Sequence, residues 1–162
     1  MSEKNIVFIG MPGCGKTDVA REVAARLGRK CYDSDAEIEL SEGLRIPEIF
    51  ERFGEEYFRR VETDTLLELS SRSGVVISAG GGSVVRNAGL LRHNAVVVYL
   101  ERPLESIAAT MAPGTRPLLK EPGSLRELYA KRRVLYENTC DFKIDNSGSI
   151  ENAVEEVLEA LA

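Results

Sequence analysis

Four runs of consecutive apolar residues rich in β-branched side chains mark the chain: Ile6 to Ile9, Val75 to Ile77, Ala95 to Leu100 and the shorter Phe142 to Ile144. They lack the alternation of a half-buried strand, and an unbroken apolar run is what a strand covered on both faces of a parallel sheet requires. Lys30 to Tyr32 is a weaker fifth candidate. Apolar residues recur at helical spacing in several of the stretches between them. Helices are expected over Lys16 to Leu27, Ala36 to Glu42, Ile46 to Phe53, Glu55 to Arg72, Leu104 to Met111, Leu125 to Asn138 and Ile150 to Leu161. Strands alternating with helices imply right-handed crossovers, a parallel sheet sandwiched between helices, and a ligand site outside the carboxyl ends of the strands.

Breakers cluster at Met111-Ala-Pro-Gly-Thr-Arg-Pro, with Lys120-Glu121-Pro122-Gly123 shortly after, so a surface loop or mobile lid is expected over about 111–124. No internal repeat or low-complexity segment divides the rest. A length of 162 residues with 43% hydrophobic content then fits one domain, 1–162, with a single sizeable core. The net charge of −5 gives no basic footprint for nucleic acid or an anionic membrane, yet leaves room for a pocket that takes a small anion. The cysteines Cys14, Cys31 and Cys140 show neither paired nor zinc-like spacing, which fits a reducing cytosol. The start leads into a strand-like run instead of a signal peptide, and no apolar stretch approaches a membrane span. A cytoplasmic monomer is the expectation.

Candidate chemistry begins where the first strand ends. Gly10-x4-Gly15-Lys16-Thr17 matches the phosphate-binding loop, in which backbone N–H groups wrap a phosphate, the lysine reaches the β/γ oxygens and the hydroxyl ligates Mg²⁺. A plain glycine turn is the weaker alternative. Asp33-Ser34-Asp35 follows the second strand and offers one carboxylate to a hydrated metal and one to a substrate hydroxyl; capping of the helix from Ala36 is compatible with either. Arg59 and Glu62 share a helix face and, in isolation, read as a solvated ion pair. Gly80-Gly81-Gly82 closes a buried strand, and three glycines in a row suggest close backbone approach to a ligand with N–H groups free to bind it. Arg116 in the lid could close over a transferring phosphate, and a guanidinium of Lys131-Arg132-Arg133 on a late helix could grip a carboxylate, although as isolated features both are more often solvated surface charge. His93 falls in a helix-end sequence and reads as a surface residue. Tyr129, Tyr136 and Phe142 read as core or rim.

The ordered set Gly13-Cys14-Gly15-Lys16-Thr17, Asp33-x-Asp35, Phe58-Arg59-x-x-Glu62, Gly80-Gly81-Gly82, Arg116-Pro117-Leu118-Leu119 and Arg132-x-x-Leu135-Tyr136 resembles the shikimate kinase family over essentially the full length. The resemblance implies a P-loop kinase of the nucleoside-monophosphate-kinase-like α/β fold, with a five-stranded parallel sheet flanked by helices, a substrate-binding segment at about 33–62 and a lid. The implied reaction is ATP-dependent phosphorylation of the 3-hydroxyl of shikimate in aromatic amino-acid biosynthesis. Position by position, Gly13, Cys14, Gly15, Lys16, Thr17, Asp18 and Arg116 would bind ATP, with Lys16 and Arg116 acting on the transferred phosphate. Thr17 would ligate Mg²⁺, and Asp33 would reach the metal through water. Asp35 would bind the shikimate hydroxyls and accept the 3-hydroxyl proton; Arg59 and Arg132 would clamp the carboxylate, with Gly80, Gly81 and Gly82 alongside and Glu62 orienting Arg59. The sequence departs from the family at Asp18, where a small neutral residue is usual, at Ala109, where an adenine-packing arginine is common, and at Val134, where a proline is common. A different acceptor, such as gluconate or a nucleotide, and a non-catalytic nucleotide-dependent module are the competing readings.

Overall fold

The computed structural model describes residues 3–110 and 124–162. In chain order the elements are β1 (Asn5–Ile9), α1 (Lys16–Leu27), β2 (Cys31–Asp33), α2 (Ser34–Glu42), α3 (Ile46–Ser70), β3 (Val76–Ser78), α4 (Val84–Arg92), β4 (Ala95–Glu101), α5 (Leu104–Thr110), α6 (Ser124–Thr139), β5 (Phe142–Asp145) and α7 (Ile150–Leu161). The five strands form one parallel sheet in the order β2-β3-β1-β4-β5, as the apolar runs predict. Every residue of β1, the central strand, is buried.

Helices α1 and α7 pack together, while α4 contacts α3 and α6. The strand order places these two groups on opposite faces, since crossovers that move in opposite directions along a sheet must lie on opposite sides to keep one hand. Val19, Ala20, Val23 and Ala24 supply the buried stripe of α1, and Ala153, Val154 and Val157 that of α7.

The main core surrounds β1, β3 and β4. A second, small core of Ile38, Ile49 and Phe58 lies between α2 and α3, with Leu44, Ile46 and Phe50 packed against it. The segment expected to bind substrate therefore carries packing of its own. Helix α3 joins the two stretches predicted over 46–53 and 55–72. Gly54 interrupts it at φ 86°, ψ 172°, a conformation open essentially to glycine alone. Helix α4 lies outside the elements that periodicity predicts. Asn87 leaves helical geometry inside it, and Gly89 and polar residues dilute its apolar face. His93 is exposed at its C-terminus, as expected.

Candidate active site

The carboxyl ends of β1, β2 and β3 lie side by side, because Phe8 and Asp33 both pair in register with Ser78. Loops leaving these three ends must meet. They line a cleft of about 350 Å³ that brings together Lys16, Thr17, Asp33, Asp35, Gly80 and Gly81.

The glycine loop runs from β1 into α1, whose N-cap Gly15 makes no side-chain cap. The first N–H groups of the helix therefore keep their capacity for an anion, which the helix dipole also favours. Lys16 is buried, and its ammonium donates to the carbonyls of Gly10 at 2.9 Å and Met11 at 3.0 Å, so the cation lies over the loop. Cys14 is buried beneath it. Asp18 occupies the first turn of α1 with its side chain exposed, on the rim of the cleft near Arg21.

Thr17 Oγ1 donates to Asp33 Oδ2 at 2.6 Å and lies 3.3 Å from Ser78 Oγ. Asp33 Oδ1 accepts the N–H of Ala36 at 3.0 Å as the N-cap of α2. Capping and display toward the phosphate loop thus coexist on one carboxylate. Oxygen donors of this kind, few in number and beside a phosphate loop, suit Mg²⁺, which keeps most of its waters and needs only one or two protein ligands.

Gly80, Gly81 and Gly82 sit where side chains crowd the chain. A Cβ built on Gly80 would lie 2.7 Å from Asp35 Oδ1 and 3.1 Å from Glu62 Oε2, one on Gly81 would lie 2.8 Å from the Pro12 ring, and one on Gly82 would lie 2.7 Å from both terminal nitrogens of Arg59 and 2.8 Å from Arg132 Nη2. Close approach at the three glycines is by side chains of the protein itself, tightest against the Pro12 ring at Gly81 and against the movable ends of two arginines at Gly82. One detail of the expectation is corrected: the Gly80 N–H is not free, since it donates to the buried Ser34 hydroxyl at 2.9 Å. Ser34 and Ser78 are site residues to which the sequence reading gave no such role; a polar residue breaking an apolar strand at its carboxyl end was the available signal for Ser78.

Arg59 and Arg132, on α3 and α6, are both buried and converge over Gly82. The pair Arg59–Glu62 is not the solvated ion pair its helical spacing suggests in isolation. Arg59 Nη1 donates to Glu62 Oε1 at 2.9 Å, and Glu62 is only 1% exposed. Burial pushes the Glu62 carboxyl above its ordinary value, and the Arg59 guanidinium pulls it back only in part. Phe58 lies under the guanidinium at 5.2 Å, and Tyr136 OH donates to Gly81 O at 2.6 Å, which ties α6 to the glycine turn. Burial also pushes the Tyr136 phenol up, so it stays a donor. Two buried guanidiniums stand against one buried carboxylate, Glu62, and the half-exposed Glu55, whose Oε2 lies 3.5 Å from Arg59 Nη2; they line one pocket with Lys131, a setting that suits a ligand carboxylate. Arg116 and the expected lid, apart from Ser124 at the start of α6, lie outside the described residues.

The family model for shikimate kinase matches residues 12–162. A shikimate kinase of Burkholderia lata is 44% identical, with the match covering 87% of this chain and 80% of that one. A shikimate kinase of Neisseria meningitidis serogroup C is 40% identical, covering 97% of this chain and 95% of that one. Among solved structures, the shikimate kinase of Acinetobacter baumannii in complex with shikimate superposes with a TM-score of 0.94 at 38% identity, covering 98% of this chain and 93% of that one.

Proposed function

The chain belongs to the shikimate kinase family, and from that membership we propose that its small-molecule kinase activity transfers the γ-phosphoryl group of ATP to the 3-hydroxyl of shikimate through a cleft divided between a phosphate end and a carboxylate end. The observation that carries this division is the convergence of Arg59 and Arg132 on Gly82, on the same glycine turn whose Gly80 and Gly81 border the phosphate loop.

At the phosphate end, the loop N–H groups of Gly13 to Thr17 hold the β-phosphate, and Lys16 swings from the loop carbonyls onto the β/γ oxygens. Thr17 would hold Mg²⁺ directly and Asp33 would hold it through water, while the exposed Asp18 stays at the rim of the nucleotide site. The metal, when bound, neutralises charge on the phosphate oxygens. At the other end, Arg59 and Arg132 fix the shikimate carboxylate, and Glu62 sets the plane of the Arg59 guanidinium. Asp35, held against Gly80, orients the hydroxyls and accepts the proton of the attacking 3-hydroxyl. Arg116 closes on the transferred group and, with the lid, excludes water that would otherwise accept the phosphate. Phosphoryl transfer asks chiefly for such positioning and charge neutralisation. The protein works as a monomer in the cytoplasm.

The test is product analysis. With Mg-ATP and shikimate, phosphorus NMR of the product should show a phosphate ester coupled to the proton on carbon 3. An ester on another hydroxyl, or free phosphate alone, contradicts the assigned orientation.

A further inference from the structure

Asn146, the first residue after β5, has no part in the chemistry above, yet it is buried against the phosphate loop. Its Nδ2 donates to the carbonyl of Cys14 at 2.8 Å, and its backbone N–H donates to Glu101 O at 2.7 Å, so the residue is pinned between the ends of β4 and β5. A Cβ on Gly15 would lie 2.6 Å from the same Nδ2. The glycine therefore serves contact with Asn146 as well as the loop's own turn. Arg102, after β4, donates to the neighbouring Gly13 carbonyl at 3.2 Å. Successive loop carbonyls are thus held from the β4–β5 side of the sheet.

In a trans peptide the carbonyl and the following N–H point in opposite directions. Fixing the Cys14 oxygen on Asn146 therefore turns the Gly15 N–H the other way, and Gly15 lines the phosphate cleft. The amide orientation of Asn146 follows from the same contact, because its oxygen facing the Cys14 oxygen would be repulsive. The remaining atom, Oδ1, is buried without a hydrogen-bond partner among the described residues. Burying an amide acceptor unpaired is unfavourable, and that cost offsets part of what the bond to Cys14 contributes to the fold.

We propose that Asn146 is a positioning residue for the phosphate loop: by holding the Cys14 carbonyl it aims the Gly15 N–H at the β-phosphate of the bound nucleotide. This rests on reading Gly10 to Thr17 as the phosphate loop. Asn146→Leu keeps the volume and removes the donor. Its effect is read by calorimetric titration of the whole protein with Mg-ADP, Mg-pyrophosphate and shikimate.

Both phosphate ligands should weaken by the same factor, about five- to tenfold for one lost hydrogen bond, with shikimate affinity unchanged. Loss for ADP alone would place Asn146 at the nucleoside instead and overturn the proposal. Unchanged affinities, or equal loss for all three ligands, would overturn it too. Lys16→Ala separates the two levels: pyrophosphate binding that survives this variant contradicts the phosphate loop and the Asn146 proposal with it, whereas binding lost there but unchanged in Asn146→Leu contradicts the role of Asn146 alone. Should Asn146→Leu fail to fold, the wild-type protein carries the test. The Asn146 side-chain amide protons should exchange slowly with water and shift on adding pyrophosphate, and a fast-exchanging amide that ignores pyrophosphate overturns the assignment.

Discussion

The Thr17 hydroxyl donates to Oδ2 of Asp33 at 2.6 Å while the other oxygen of that carboxylate caps α2, so one side chain joins the phosphate loop to the substrate-binding segment. Asp33→Asn separates the two duties. Asparagine caps a helix about as well as aspartate, so the melting temperature should move by only a few degrees. Removing the charge should raise the Mg²⁺ concentration for half-maximal rate by about 10- to 100-fold, the usual effect of losing an outer-shell metal partner. Measured magnesium titrations of the two proteins decide it, and identical curves would remove Asp33 from the metal.

Arg132 presents one half of the guanidinium pair over Gly82. Arg132→Ala should lower kcat/KM for shikimate by about 100-fold or more, in line with the ~3 kcal/mol typical of truncating one partner of a buried charged contact. The KM for ATP should change far less. Steady-state kinetics with each substrate varied in turn provide the check, and parallel losses would show that Arg132 does not select the acceptor.

Gly82→Ala is a finer probe of the same place. The new methyl group would meet only the ends of two long side chains, which can move, so the fold should hold within about 1 kcal/mol. The guanidiniums would be pushed apart, and shikimate affinity should fall about tenfold with nucleotide affinity intact. Denaturant midpoints and binding titrations read the two effects separately. Unaltered shikimate binding would mean that the clamp is not at Gly82.

Glu62 gives a pH dependence with a definite sign. Its carboxyl is raised above the ordinary value of 4.5, so over the window just above 4.5 the folded protein binds more protons than the unfolded chain. Stability from this residue is then fully present below that window and declines as pH rises through it. Glu62→Gln mimics the protonated form, so its melting temperature relative to wild type should climb as pH increases across the window. A difference that stays flat or falls would mean that Arg59, and not burial, dominates this carboxylate.

Among the described residues, the strands, the phosphate loop and six of the seven helices could be read from the sequence because each is specified by neighbours a few residues apart. Helix α4 could not, since its apolar positions are few and Asn87 breaks its period. Clustering was harder to see. Nothing local tells that Arg59 and Arg132, on helices far apart in sequence, close on Gly82, or that the charge spacing of Arg59 and Glu62 describes a buried pair. Ser34 hid for a related reason: between two aspartates a serine looks like a cap, and its bond to Gly80 depends on β2 lying beside β3. Asn146 gave no signal at all, being a polar residue in a turn until the sheet brings it under Cys14.

The most direct measurement is acceptor-dependent release of ADP from Mg-ATP, run in parallel with shikimate, gluconate and a mixture of nucleoside monophosphates. Release with shikimate alone is expected, because two buried guanidiniums beside Asp35 fit a hydroxylated ring carboxylate. Release driven by gluconate or a nucleotide, or at the same rate without any acceptor, would contradict it.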